Sequence, residues 1–294
     1  MEPVQAGRLY IVATPIGNYH DMSERGIETL RNVDLIAAED TRRTIILLNK
    51  FGIRNELISN HNYNEHGRIR YFLEQLTAGK SIAVVTDAGT PCISDPGNAL
   101  IRACIENGID IVGIPGCCAA INALTVTGFD LSSFLFLGFF PRENGERVKI
   151  FRQLRRERLA RTVVFYESPK RIMGAVEFLI EAGVQCQVCL CNDMTKSHEM
   201  HFRGTPEEVR EKLLAKVTYE KGEYVMVLEL DKDYIIRQSE HISTPEAVLV
   251  DILVKENCSM KEAIRTALDT EENTYSKKEL YAAGLHLKEL FLSE

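Results

Sequence analysis

Five short segments carry most of the side chains able to do chemistry: Thr14-Pro-Ile-Gly-Asn18, Glu39-Asp-Thr-Arg-Arg43, His61-Asn-Tyr-Asn64, Asp87 to Gly97, and Pro115-Gly-Cys-Cys-Ala119. The carboxylates Glu39, Asp40, Asp87, Asp95 and, further along, Glu167 are candidates for a general base or an orienting group. Arg42, Lys170 and Arg171 supply positive charge for a phosphate or a developing oxyanion. Asp40-Thr41 and Asp95-Pro96 have a second reading, because an acidic residue at that spacing also caps a helix. The Gly and Pro residues let backbone groups approach a small molecule closely without forming a dedicated phosphate cradle. That suits an uncharged or zwitterionic ligand.

Other chemistries fit poorly. Gly79-Lys80-Ser81 resembles the end of a P-loop, but the Gly required five residues earlier is Glu74. No G-x-G-x-x-G follows the first apolar run, so a dinucleotide fingerprint is missing. Cys186, Cys189 and Cys191 precede His198 and His201, yet in a strand Cys186 faces away from the other two, and the His pair lacks the i, i+4 spacing of a helical zinc site. No metal is implied. No G-x-S-x-G elbow exists, and Cys117-Cys118 has no base nearby in sequence.

The elements that must position these loops follow from the apolar pattern. Short apolar runs at 9–13, 35–38, 57–59, 82–86 and 109–114 alternate with helical stretches beginning near Ser23, Thr41, Glu65 and Pro96, the pattern of a parallel sheet with crossover helices. Gly52, Gly79 and Gly108 fall at helix C-caps. In such a sheet the ligand lies beyond the carboxyl ends of the strands, where the five segments fall. A second α/β domain is expected, with strands at 134–138, 162–166, 185–191 and 224–230 and helices at 146–158, 170–181 and 206–216. Thr244-Pro245 and the capping box Ser276 to Glu279 then mark a helical appendage. The boundaries read from this pattern are 1–117, 118–235 and 236–294, which suits a chain of 294 residues, 45% hydrophobic and 26% charged.

The N-terminus has no basic n-region, and its apolar run ends at Pro15, too short for a signal peptide or a membrane span. We therefore expect a cytoplasmic protein whose eight Cys are reduced thiols. The net charge of −7 argues against a protein that coats nucleic acid. Between Arg142 and Arg161, however, eight basic residues stand against three acidic ones. This stripe reads either as a solvated helix face or as a contact for a polyanion.

The loops themselves resemble the tetrapyrrole methylase superfamily, and within it the branch that 2'-O-methylates a cytidine of 16S rRNA. The motifs that carry the resemblance are Leu9-Tyr-Ile-Val-Ala-Thr-Pro-Ile-Gly-Asn18, Asp34-Leu-Ile-Ala-Ala-Glu-Asp-Thr-Arg42, Thr86-Asp-Ala-Gly-Thr-Pro91 with Ser94-Asp-Pro-Gly97, and Phe165-Tyr-Glu-Ser168. They run in order through Lys221-Gly-Glu-Tyr224 and cover nearly the whole chain. The resemblance implies two α/β domains with S-adenosylmethionine in the cleft between them. It assigns to the cofactor Pro15, Ile16 and Gly17; Asp87, Ala88, Gly89, Thr90 and Ile93; Cys118 and Ala119; and Tyr166, Glu167 and Met194. It further implies a homodimer acting on the small ribosomal subunit, with no membrane association.

Under that reading Glu39, Asp40 and Arg42, supported by Lys170, are the expected catalytic group, because a ribose hydroxyl is a poor nucleophile until deprotonated. Arg142, Arg147, Lys149, Arg152, Arg155 and Arg156 would contact the rRNA backbone. Two departures stand out. Pro115-Gly-Cys-Cys-Ala119 replaces the usual Pro-Gly-Pro-Ser-Ala, and Asn192 stands where relatives usually carry Arg, which removes a charge that could hold phosphate or a carboxylate. Two further readings stay open: a methyltransferase of a tetrapyrrole or corrinoid precursor, and a non-catalytic protein that binds the cofactor and associates with RNA.

Overall fold

Leu9–Val12 (β1), Leu35–Ala38 (β2), Leu57–Ser59 (β3), Ile82–Val85 (β4) and Ile111–Ile114 (β5) are nearly uninterrupted apolar runs, as strands covered on both faces must be. They pair in parallel in the order β3-β2-β4-β1-β5. Between them run Glu24–Asn32 (α1), Thr41–Lys50 (α2), Glu65–Thr77 (α3) and Asn98–Glu106 (α4). Successive strand residues feed opposite cores. Val12, Ile36, Ala38, Ala83 and Val85 pack with Leu30 of α1 and Leu48 of α2, whereas Leu9, Leu35, Ala37, Ile82 and Val84 pack with Phe72 of α3 and Leu100 of α4. The computed structural model describes residues 3–60, 65–157, 160–232, 234, 244–270 and 275–291. The His61 to Asn64 segment and Arg158, one of the eight basic residues counted between Arg142 and Arg161, lie outside them.

Ala119–Thr125 (α5) leads into a second sheet built from Phe134–Phe139 (β6), Thr162–Glu167 (β7), Cys186–Asn192 (β8), Met200–Gly204 (β9) and Tyr224–Leu230 (β10), in the order β6-β7-β10-β8-β9. β6 and β7 are parallel and the other pairs antiparallel. One face is covered by Asn144–Glu157 (α6), Ile172–Glu181 (α7) and Pro206–Ala215 (α8), through Phe151, Leu154, Val176, Leu179, Val209 and Leu213. The other face takes α5. Cys189 and Cys191 lie on that second face, with their sulfurs 3.9 Å apart, while Cys186 enters the core beneath the helices. Pattern reading missed β9: its sequence, Met-His-Phe-Arg-Gly, is a short edge strand with polar residues on its open side. The helix expected from Pro96 starts at Asn98, with Gly97 rather than Asp95 at its N-cap.

Contacts divide the chain into the units Met1–Ile235, which holds both sheets, and Ile236–Glu294. The second unit has Pro245–Glu256 (α9), Met260–Asp269 (α10) and Lys277–Phe291 (α11), started by Thr244 and by capping boxes at Ser259/Glu262 and Ser276/Glu279. Its own core is Leu249, Ile264, Ala267, Leu280, Ala283 and Leu287. Among the described residues, no helix is long and apolar enough to cross a membrane.

Candidate functional site

The loops after β1, β4 and β5 are tied to one another at the carboxyl edge of the first sheet. Thr14 N–H donates to Gly89 C=O at 2.9 Å and Gly89 N–H returns a bond to Thr14 C=O at 3.0 Å. Thr90 Oγ1 donates to Cys117 C=O at 2.9 Å. Two glycines are required by close approach: a Cβ on Gly116 would lie 2.9 Å from that of Ala13, and one on Gly17 would lie 2.6 Å from Lys196 Cγ. The second contact shows that the β1 loop runs against the segment that follows β8.

An apolar surface forms where these loops meet the open face of the second sheet. Ile16, Cys118, Ala119, Tyr166 and Met194 pack there with Phe136 and the residues of α5. The Tyr166 hydroxyl accepts from Ala120 N–H at 3.3 Å, and its ring meets those of Phe136 and Phe139 edge-on at 5.0 and 5.7 Å. Burial holds this phenol protonated well above its usual range. Of the expected cofactor residues, the structure gathers Ile16, Gly17, Gly89, Thr90, Cys118, Ala119, Tyr166 and Met194. Pro15, Asp87 and Ala88 belong to the same loops, and Ile93 is exposed.

Glu167 is placed differently. It faces the helix-covered side of β7, its side chain fully enclosed, bonded to Arg171 Nη2 at 2.7 Å and accepting Ser168 N–H at 2.6 Å. Arg171 also donates to Phe140 C=O. This enclosed ion pair holds the turn after β7 together.

On the polar side of the site, Asp40 is the N-cap of α2. Its carboxylate accepts from Arg42 N–H at 2.8 Å and from the Arg42 guanidinium at 3.0 and 2.7 Å. These bonds hold the Asp40 carboxyl down at about 2. Both readings of Asp40-Thr41 therefore share one residue: it caps, and it grips a guanidinium that is 89% exposed. Glu39 Oε2 accepts Asp87 N–H at 3.1 Å, and Asp87 pairs with Arg43 at 3.1 Å. Asp95 is half-buried; desolvation, then the charges of Glu39 and Asp87, push it up to about 7. Lys170 is exposed, and no hydrogen bond or ion pair joins it to Glu39, Asp40 or Arg42.

The basic stripe lies largely on α6 and divides in two. Arg142, Lys149, Arg152 and Arg156 are exposed. Arg147 stacks on Phe140 and Phe178, 5.1 and 5.5 Å from the ring centres, and donates to Pro141 C=O at 2.8 Å. Arg155 lies over Tyr234 at 5.2 Å. Asn192 is fully buried, its amide directed at Lys221 and Glu223 carbonyls, and the Lys216 ammonium donates to its oxygen. A cation thus stands beside Asn192, the position where the family resemblance leads one to expect Arg. Sequence reading passed over Lys216, and also Arg43, whose role shows only in its pairing with Asp87 across two loops.

Residues 8–210 match the family model described as Tetrapyrrole (Corrin/Porphyrin) Methylases. The chain belongs to the tetrapyrrole methylase family. Among its relatives is a Haemophilus influenzae protein named ribosomal RNA small subunit methyltransferase I, 40% identical over 284 residues that span 96% of this chain and 98% of the relative. The tetrapyrrole methylase fold also appears in two solved structures. Diphthine synthase matches with a TM-score of 0.58 at 17% identity, covering 76% of this chain and 89% of its own. Uroporphyrin-III C-methyltransferase from Thermus thermophilus, complexed with S-adenosylhomocysteine, matches with a TM-score of 0.52 at 15% identity, covering 78% of this chain and 99% of its own.

Proposed function

We propose that this protein uses S-adenosylmethionine to 2'-O-methylate a cytidine of 16S rRNA in the small ribosomal subunit. The observation that carries the proposal is the 40% identity to the H. influenzae relative, which extends over 98% of that relative and so includes the C-terminal helices.

The residues present fit the cofactor. Gly17, Gly89 and Gly116 bring backbone to the loop junction where a side chain would collide or strain. Ile16, Cys118, Ala119, Tyr166 and Met194 offer an apolar bed for an adenosine and a thioether chain. Glu39, Asp87 and Asp95 make the adjoining edge acidic, which favours a sulfonium over an anion. Pro15, Ala88, Thr90 and Ile93 complete the holding set; Glu167 supports it through the turn it shares with Arg171. When bound, S-adenosylmethionine supplies an activated methyl group whose leaving group is a neutral thioether.

The protein's task is then to align the acceptor and accept its proton. Asp40, held ionised by Arg42, is a weak base at neutral pH and acts as an anchor. Glu39 keeps one carboxylate oxygen on Asp87 N–H and has the other left for the ribose hydroxyl. Arg42 and Lys170, both exposed, reach for flanking phosphates.

The test is transfer of labelled methyl from S-adenosylmethionine to small subunits lacking the modification, followed by mild alkaline hydrolysis. Alkali cleaves RNA through the 2'-oxygen, so one labelled, uncut dinucleotide beginning with cytidine is expected. Label in single nucleotides, or transfer only to a corrinoid, would overturn the assignment.

A further inference from the structure

Asn60, Glu39 and Thr86 stand in a row across three adjacent strands. Ala38 of β2 is in register with Ser59 of β3 and Val85 of β4, so the next residues along, Glu39, Asn60 and Thr86, are level with one another at the carboxyl edge. The ladder continues there, with Asn60 N–H donating to Ala38 C=O at 2.7 Å and Glu39 N–H to Val85 C=O at 3.3 Å. Ala37, Val84 and Ile58 face the α3/α4 core, and strand alternation brings Glu39, Thr86 and Asn60 to that same side.

Asn60 and Thr86 are each only 2% exposed. Neither amide atom of Asn60 has a hydrogen-bond partner, and neither does Thr86 Oγ1. Buried polar groups left unpaired are costly and rare, and this row has three such atoms on the two residues flanking Glu39. The row contains no cation, and the nearby Arg43 is already paired with Asp87, with Asp95 adding a further carboxyl, which disfavours a phosphate as the missing partner. An amide, a carboxylate and a hydroxyl together both donate and accept, and so match a neutral group that does the same.

We propose that Asn60 and Thr86 are positioning residues that, with Glu39, receive the hydroxyls of the acceptor ribose. This inference rests on the function proposed above and identifies which residues hold the acceptor in that same site. Methylation then proceeds with the ribose hydroxyl oxygen bonding to the methyl carbon, the sulfur–methyl bond breaking with its electron pair left on sulfur, and the hydroxyl proton passing to Glu39.

The experiment compares Thr86→Val, Asn60→Leu and the conservative Thr86→Ser with the parent protein. It reads melting temperature, S-adenosylmethionine affinity by calorimetry, and methyl transfer to unmodified small subunits. Thr86→Val and Asn60→Leu should melt no lower than the parent, because each removes an unpaired polar group. They should bind S-adenosylmethionine unchanged and lose about tenfold or more in kcat/KM for the subunit. Thr86→Ser should retain most activity. Normal kcat/KM in both apolar variants overturns the proposal, and so does a loss matched by weaker S-adenosylmethionine binding, which would give the row to the cofactor. Lower melting temperature with unchanged kinetics also overturns it. Failure of the parent protein to transfer any methyl is a separate result, and it removes the proposed function together with this inference.

Discussion

Asp40 holds Arg42 in a two-pronged grip, 2.7 and 3.0 Å long, while also capping the helix on which Arg42 sits. The guanidinium is thereby presented to solvent in one orientation rather than left to sample many. Asp40→Asn should preserve the cap, since Asn is as good an N-cap as Asp, but release the guanidinium. Methyl transfer is expected to fall about 100-fold in Asp40→Asn and in Arg42→Ala, with little change in cofactor affinity by calorimetry. Full activity in both variants would remove this pair from the catalytic group.

Glu167 and Arg171 make a contrasting prediction. Arg171→Met leaves the enclosed Glu167 carboxylate without its counter-charge, and should lower unfolding free energy by about 3 kcal/mol in urea. A much smaller loss would mean that Ser168 N–H alone sustains the charge.

Asp95 sets a pH dependence. Its carboxyl is pushed from 3.8 to about 7 in the folded protein by burial, with Glu39 and Asp87 adding to the shift. The native state therefore binds the extra proton between those values, so this group's contribution to stability is full at low pH and is lost as pH rises through the window. Asp95→Asn removes the loss. Compared with the parent, the variant should be more stable at pH 8 by about 1 kcal/mol, a figure reduced for partial solvent exposure, and the difference should vanish near pH 4. Urea titrations at the two pH values make the comparison; an equal difference at both would exclude Asp95 as its source.

The divided basic stripe separates binding from folding. Replacing Arg142, Lys149 or Arg152 by Ala should weaken RNA binding and lower the slope of log affinity against log salt by about one each, with no change in melting temperature. Arg147→Ala should instead lower the melting temperature through lost packing on Phe140 and Phe178. A salt slope that moves only with Arg147 would reverse the division.

The strands were legible where apolar runs end at a polar residue or a Gly, as in β2, β3 and β10, and so were the loops that form the site. Features that depend on tertiary pairing were not. Arg147 looks like any exposed Arg until Phe178, 31 positions away, is brought beneath it. Glu167 carries the same chemistry as Glu39 in the sequence, and only the side of β7 it faces and the reach of Arg171 separate their roles. Asn60 and Thr86 are neutral residues at strand ends, and cross-strand register alone sets them beside Glu39. β9 escaped because alternation in a five-residue edge strand is too brief to stand out from a turn.

The reciprocal bonds between Thr14 and Gly89 have a kinetic consequence. Each amide hydrogen is protected by a carbonyl of the other loop, so neither can exchange with solvent unless the two loops part. Their protection factors should match and should rise together when a ligand bridges the loops. The ends of the β1 and β4 loops thus move as one unit, and a ligand that loosens one amide must loosen the other.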